Sequence, residues 1–158
     1  MAKSKKKQTV VSGKVIVRNR KAGFEYHLEE RFEAGISLLG SEVKSCRAGK
    51  VSLVDAYVEI DRGELWLVNA HIAEYSFANR LNHAPLRKRK LLMHRIEITR
   101  LGVKIREKGF TLIPLALYFN PTGKIKVEIA LARGKKAHDK RDTIREKDQQ
   151  RAMQRGDF

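Results

Sequence analysis

Cysteine is almost missing from this sequence, because Cys46 is the only one among 158 residues. One thiol cannot form an intrachain disulfide or a zinc site that is built from several cysteines. The five histidines do not compensate, since none has the i, i+4 spacing with an intervening glutamate that zinc hydrolases use. We therefore predict that the protein holds no metal and no cofactor.

Acidic residues are few relative to basic ones: 18 Asp and Glu stand against 34 Lys and Arg, which gives a formal net charge of +16. Such an excess attracts polyanions, and the release of their counterions adds to the affinity. Nucleic acid is the leading partner; an acidic membrane surface is the alternative, but no long basic amphipathic helix supports it. Aromatic residues, at 7%, are too scarce for a broad base-stacking platform, so recognition of structured RNA by shape and backbone fits better.

Long hydrophobic runs are missing too. No stretch approaches the ~18 apolar residues that a membrane-spanning helix needs, and the lysine-rich start has no apolar stretch behind it of the kind found in a secretory signal. We expect a cytoplasmic protein that does not bind membranes. Apolar residues still make up 42% of the chain, which is enough for the core of one domain.

Enzyme signatures are absent from the sequence. The pairs Gly123-Lys124 and Gly134-Lys135 lack the upstream glycine and the following Ser or Thr of a phosphate-binding loop. No Gly-x-Ser-x-Gly motif occurs, and Cys46 falls on the apolar face of a predicted helix, which is a poor place for a nucleophile. An RNA-modifying enzyme would need convergent acidic or nucleophilic residues, and none is visible. The sequence predicts a binding protein and not an enzyme.

Hydrophobic periodicity predicts a body made mostly of β-strands. The clearest pattern is the alternation of apolar and polar residues between Ile125 and Leu131, which is typical of a strand with one buried face. Extended segments are predicted at 10–17, 24–29, 56–72 and 111–132, and the last two are read as hairpins.

Helical spacing appears in two places. The apolar residues of Ile36–Cys46 recur on one side of a short amphipathic helix, with Gly49 at its C-cap. Residues 87–107 have helical composition, with a predicted break at Gly102. The segment 75–85, rich in Asn and aromatic residues, is predicted to be a surface loop.

These elements predict a mainly β fold with two or three helices. Antiparallel hairpins favour a small β-barrel of the oligonucleotide-binding type, because closure removes sheet edges; an open α+β sheet would show the same periodicity. Residues 1–8 are predicted to be a flexible basic arm, 9–132 the barrel, and 133–158 a basic tail. The tail has too few large apolar residues to offset its ordering entropy, so we expect it to be disordered when free. Its spacing nonetheless permits a marginal helix.

Basic residues are gathered in four clusters: the N-terminal arm, Arg18–Lys21, Arg87–Lys90, and Arg133 with Lys135 and Lys136. A single such run is usually a solvated surface. Four runs on a chain of this charge indicate a polyanion-binding footprint.

Five blocks of the sequence resemble the SsrA-binding protein family: Asn19–Ala22, Phe32–Ile36, Gly40–Ser45, Arg89–Leu92 and Gly134–Arg141. They follow the order seen in that family and lie within residues 10–141. The resemblance implies an oligonucleotide-binding-like barrel that holds the transfer-RNA-like part of transfer-messenger RNA. It also implies a C-terminal tail that enters the ribosomal decoding centre and message channel when these are empty. Elongation factor Tu and alanyl-tRNA synthetase would be met only through the shared RNA, and the free protein is expected to be a monomer.

By that resemblance Asn19, Glu33 and Leu92 match family positions that face RNA. Each also has a structural interpretation, since Asn suits a turn, Glu33 can orient a neighbouring cation, and Leu92 can be core. The predicted RNA-binding residues are Asn19, Arg20, Lys21, Glu33, Lys44, Arg87, Lys88, Arg89, Lys90, Leu92, Lys135 and Lys136.

The motif Asp139-Lys140-Arg141 resembles the base of the family's tail. Its cations can pair with ribosomal RNA phosphates, and the preceding histidine can stack on a base. The predicted tail residues that meet the ribosome are His138, Asp139, Lys140, Arg141, Arg145, Lys147 and Arg151. Two functions remain possible at this point: delivery of transfer-messenger RNA to stalled ribosomes, and general RNA binding or RNA chaperoning by an oligonucleotide-binding fold.

Overall fold

A computed structural model describes residues 11–78 and 82–156. The predicted N-terminal arm (1–8) lies outside the described residues, as do 79–81 of the predicted loop and the last two residues. Within the described ranges the chain forms nine strands and four helices. The strands are β1 (Val15–Arg18), β2 (Tyr26–Ile36), β3 (Val51–Ser52), β4 (Tyr57–Asp61), β5 (Glu64–Val68), β6 (His71–Ile72), β7 (Arg89–Leu92), β8 (Thr111–Phe119) and β9 (Ile125–Gly134). The helices are α1 (Ala22–Glu25), α2 (Gly40–Arg47), α3 (Arg95–Lys108) and α4 (Ala137–Arg155).

Strand pairing makes an antiparallel, irregular barrel. The order β8–β4–β5–β7–β2–β9 returns to β8 through the β8–β9 pairing, and β1 adds to β8 outside this cycle. Two seams are thin: β4 meets β8 through the pair Val58–Leu112, and β2 meets β7 through Gly35–Leu92 and Ile36–Leu91. The mainly β fold is therefore confirmed, while the closure is looser than that of a clean barrel.

The two predicted hairpins are present. In the β4–β5 turn Arg62 and Gly63 both have positive φ, 51° and 76°, which is the backbone that suits a two-residue hairpin. In the β8–β9 turn the Asn120 side-chain oxygen accepts the backbone N–H groups of Thr122 and Lys124 at 3.1 and 2.8 Å. Each turn thus fixes the register of the strands that follow it.

The core lies inside the barrel and is centred on β8 and β9. Leu112–Tyr118 of β8 is buried at every position, because one face of the strand points inward and the other is covered by α1 and neighbouring strands. Helix α3 adds Ile98 and Leu101 to the same core. Each fully buried leucine stabilises the fold by roughly 1.5–3 kcal/mol relative to an exposed one.

Helical composition misled the prediction for residues 87–94. Arg89–Leu92 forms a strand, and α3 begins only at Arg95. Burial alternates along β7, with Arg89 and Leu91 buried and Leu92 exposed, so the segment follows a strand period rather than a helical one. The predicted break at Gly102 is wrong as well: α3 continues through it, and Ile60 lies close to the position that a Cβ would take there.

Two element boundaries also differ from the prediction. Residues 24 and 25 belong to the short helix α1, and the strand that begins at Tyr26 continues to Ile36. Ile36 therefore ends a strand instead of starting a helix, and α2 begins at Gly40. The chain has four described helices where two or three were expected.

The tail forms helix α4, with no buried residue along its length. Disorder of the free tail stays a prediction, since a helix without buried apolar surface is held mainly by its own backbone bonds and is marginal in water. Among the described residues, no helix combines the length and the apolarity that crossing a membrane requires.

Candidate nucleic-acid interface

A buried ionic cluster holds the main basic run in place. Both carboxylate oxygens of Glu42 on α2 are used: one accepts a hydrogen bond from Arg87 and the other from Arg89. The Arg89 guanidinium also donates to the carbonyl oxygens of Ala70 at 2.7 Å and Pro85 at 3.0 Å. The cluster therefore ties α2, the start of β7 and the loop before it into one unit.

Burial of Glu42 would by itself raise the pKa of its carboxyl. Hydrogen bonds from Arg87, the Leu39 backbone N–H and Arg89 more than offset this effect, and the pKa is lowered from its ordinary value. Glu42 is therefore ionised at neutral pH and compensates the buried guanidinium of Arg89.

The prediction that Arg89 contacts RNA directly is contradicted by this arrangement. Its side chain has no exposed surface, and its donors are spent on Glu42 and on backbone carbonyls. A four-residue basic run suggests a surface, but in a strand alternate side chains point inward. Arg89 therefore supports the neighbouring cations rather than joining them.

The other cations of this run reach the surface. Lys88 is exposed and its Nζ lies 2.6 Å from Glu59, while Lys90 Nζ lies 3.1 Å from Glu64. Exposed pairs of this kind contribute little to stability, so a phosphate can replace the carboxylate at small cost. Arg87 is about one-third exposed beside Glu42.

Glu33 and Leu92 are brought to one groove. The register pairs Gly35 of β2 with Leu92 of β7, and a cavity of about 470 Å³ opens beside this pair. Its lining consists of Glu33, Gly35, Leu92, Met93, His94, Glu97 and Lys126. Leu92 is 53% exposed, which rules out the core interpretation of this residue.

Glu33 is held in place by a hydrogen bond from a buried tyrosine, a residue that was not among the predicted site residues. The hydroxyl of Tyr118, a buried residue of β8, donates to Glu33. Burial and this bond raise the pKa of the Tyr118 hydroxyl, which keeps it protonated as a donor. Glu33 itself is exposed and retains acceptor capacity toward a ligand. Nothing in the sequence distinguishes Tyr118 from an ordinary core residue.

Asn19 lies in a turn, as its structural interpretation proposed. Its side-chain amide donates to the Pro114 carbonyl at 3.0 Å, and its backbone N–H donates to the Leu115 carbonyl at 2.7 Å. It lines a cavity of about 160 Å³ whose lining shares no residue with the Glu33 groove. Its neighbours Arg20 and Lys21 are exposed, so Asn19 holds the loop that presents them.

The base of the tail is docked on the barrel. Lys135 Nζ donates to the Gly23 carbonyl at 2.9 Å and to Thr143 Oγ1 at 2.8 Å, while the ring of His27 lies 3.2 Å from Asp139. The bond with His27, followed by one from the Lys136 N–H, lowers the pKa of Asp139. Lys140 Nζ lies 5.9 Å from the centre of the Phe24 ring. The predicted RNA-binding residue Lys135 and the predicted tail residues Asp139 and Lys140 thus contact the body.

Beyond this base the predicted tail residues point into solvent. His138 is 83% exposed and lies 3.0 Å from Asp142. The remaining members are exposed cations on α4: Arg141, Arg145, Lys147 and Arg151. Lys136 is likewise exposed. Helix α4 therefore projects a basic surface that the body does not cover.

Cys46 lies in the interior, as predicted. Burial, with a smaller effect of the Glu42 charge, raises the pKa of its thiol to about 11, so the thiol is protonated at neutral pH. In the described part of the chain no three His, Cys, Asp or Glu residues gather in a way that can hold a metal ion.

Exposed cations surround an irregular β-barrel that carries a groove with one fixed carboxylate and a basic helix, an arrangement of the kind that RNA-binding proteins present to phosphates. The sequence model of the SmpB protein family matches residues 16–157. The chain therefore belongs to the SmpB family.

Relatives support the assignment over most of the chain. The SsrA-binding protein of Symbiobacterium thermophilum is 61% identical over 140 residues, covering 89% of each chain. That of Thermobifida fusca is 53% identical over 155 residues, covering 98% of this chain and 96% of its own length. A solved structure described as "tmRNA-SmpB: a journey to the center of the bacterial ribosome" is 47% identical, with a TM-score of 0.66, and covers 82% of this chain and 94% of its own.

Proposed function

We propose that this protein binds the transfer-RNA-like domain of transfer-messenger RNA and delivers it to stalled ribosomes. The observation that carries the proposal is family membership over residues 16–157, together with likeness to a chain described in a transfer-messenger RNA and ribosome context. The net charge of +16 supplies the attraction to RNA.

The body is the RNA clamp in this proposal. Exposed cations on the β7 side and in the Asn19 turn bind phosphates, while the groove between β2 and β7 offers a carboxylate and an exposed leucine. Glu33, held by Tyr118, can accept bonds from ribose hydroxyls or base amines. The resulting set is Asn19, Arg20, Lys21, Glu33, Lys44, Arg87, Lys88, Lys90, Leu92, Lys135 and Lys136, with Arg89 as a support from within.

The tail is the ribosome-facing element. Its exposed cations can bind the RNA phosphates that line the decoding centre and message channel, and message in that channel would compete for the same space. The tail can therefore enter the channel only when message is absent, and in this way it senses an empty channel. The protein acts as a monomer and meets elongation factor Tu and alanyl-tRNA synthetase only through the shared RNA.

A double substitution tests the tail's role. Lys140→Ala with Arg141→Ala should abolish peptide tagging of stalled chains while binding of transfer-messenger RNA in solution survives. The matched control is Lys104→Ala with Lys108→Ala on α3, which removes the same charge outside the proposed surfaces and should keep both activities. Full tagging by the tail variant would refute the sensor role, and equal loss of both activities would assign these residues to the clamp.

A further inference from the structure

The loop after β6 carries an exposed aromatic pair. Phe77 is 80% exposed, and its ring meets that of Tyr75 edge to face, with centroids 5.5 Å apart. A lone exposed apolar side chain is common on protein surfaces. An exposed ring that stands on a second ring with a cation beside it is more specific, and Lys44 Nζ lies 5.2 Å from the Tyr75 ring centre.

The loop that presents these rings is anchored on both sides. The Asn82 amide accepts the Tyr75 N–H at 3.0 Å and donates to the Tyr75 carbonyl at 2.8 Å. Before the loop, the Ser45 hydroxyl of α2 donates to the Ala73 carbonyl at 2.6 Å. After it, His83 bonds to Ser41 of α2 at 2.8 Å. These bonds hold Tyr75, the ring that Phe77 contacts, in place before any ligand arrives, which lowers the entropic cost of binding.

We infer that Phe77, supported by Tyr75 and Lys44, is a stacking site for one unpaired nucleobase of the bound RNA. The inference rests on the proposed function, because it places the site on the same RNA-binding surface. Any of the four bases can stack on an aromatic face, because each is planar. A neighbouring ammonium group can pair with the phosphate of the same nucleotide.

Position and charge favour RNA over an apolar protein segment. His83, which follows the rings, bonds to Ser41 of α2. Arg87 bonds to Glu42, the next residue of the same helix, so α2 holds both the loop that carries the rings and the start of the basic run. The Phe77 ring offers its face to a base, and Lys44, beside the Tyr75 ring, offers its charge to a phosphate. An apolar peptide would need a wider apolar area than one phenylalanine supplies.

Three substitutions of Phe77 in the full-length chain test the site against transfer-messenger RNA. Base stacking on an aromatic ring contributes about 1–3 kcal/mol, so Phe77→Ala should weaken binding about 5- to 150-fold. Phe77→Leu should lose nearly as much, because it keeps apolar area without a ring, and Phe77→Trp should keep the affinity. The slope of log affinity against log salt should stay unchanged, since no phosphate contact is lost.

A second probe separates this inference from the proposed function. The fluorescence of the Phe77→Trp variant should be quenched by a short oligoadenylate beyond the quenching of the wild type, which has Trp66 alone. Wild-type affinity of Phe77→Ala for transfer-messenger RNA, full affinity of Phe77→Leu, or no added quenching would each overturn the stacking site. The two ideas can also fail separately. If the wild type did not bind transfer-messenger RNA but oligoadenylate still gave the added quenching in the Phe77→Trp variant, the proposed function would be refuted and the stacking site supported.

Discussion

Arg89 and Glu42 form an ion pair in which neither side chain has any exposed surface. Arg89 starts β7 and Glu42 lies in the first turn of α2, so the pair joins the sheet to the helix that carries Lys44. Two buried charges are tolerated because each is hydrogen-bonded on more than one side. The exposed cations on either side of Arg89 depend on this internal contact for their positions.

Removing one partner of this pair should destabilise the fold strongly. Arg89→Ala leaves the Glu42 charge buried with one cation fewer, and loss of a buried partner costs about 3–5 kcal/mol. Lys90→Ala, the control one residue along the strand, breaks only an exposed pair and should cost less than about 1 kcal/mol. Urea denaturation of both variants measures the difference. Similar free energies of unfolding would show that the pair does not organise this region.

Acid should weaken the fold through Glu42. Its pKa is lowered in the folded state from the ordinary value of 4.5, so its stabilisation is complete above the unfolded pKa. That contribution is lost as the pH falls through the folded pKa, because protonation breaks the pairs with Arg87 and Arg89. The variant Glu42→Gln should be less stable at neutral pH and should lose less stability on acidification. Parallel pH profiles of Tm for the two proteins would contradict this linkage.

Salt dependence should report the phosphate contacts of the body. Log affinity for transfer-messenger RNA should fall linearly with log salt, and Lys88→Gln should reduce the slope by about one. Lys147→Gln removes the same charge from the tail helix and should leave the slope in solution unchanged. Filter binding across a salt series measures both variants. A slope near zero in the wild type would remove the electrostatic basis of the proposed clamp.

The sequence predicted the strands with clear alternation and both hairpins, because period and turn chemistry are local. The prediction failed at Arg89–Leu92, because two cations and two leucines are as typical of a helix as of the strand that they form. The burial of Arg89 depends on Glu42, which lies far away in sequence, and local patterns carry no information about such a partner. Leu92 remained ambiguous for the same reason, since only the β2–β7 pairing decides which face it occupies. The hydrogen bond from Tyr118 to Glu33 could not be predicted either, because the apolar pattern of a buried strand does not show that one of its side chains has a polar partner.

Selective binding of folded RNA by the body is the most direct test of the proposed function. The measurement compares the full-length protein with a variant lacking residues 137–158, which removes α4 but keeps Lys135 and Lys136 of the proposed clamp. The affinity of each protein is measured for the transfer-RNA-like domain and for an unstructured RNA of equal length. The proposal predicts that both proteins prefer the folded RNA and that truncation leaves its affinity nearly unchanged. Equal affinity for the two RNAs would favour a general RNA-binding protein or RNA chaperone. Loss of most binding on truncation would contradict the division between a clamping body and a ribosome-facing tail.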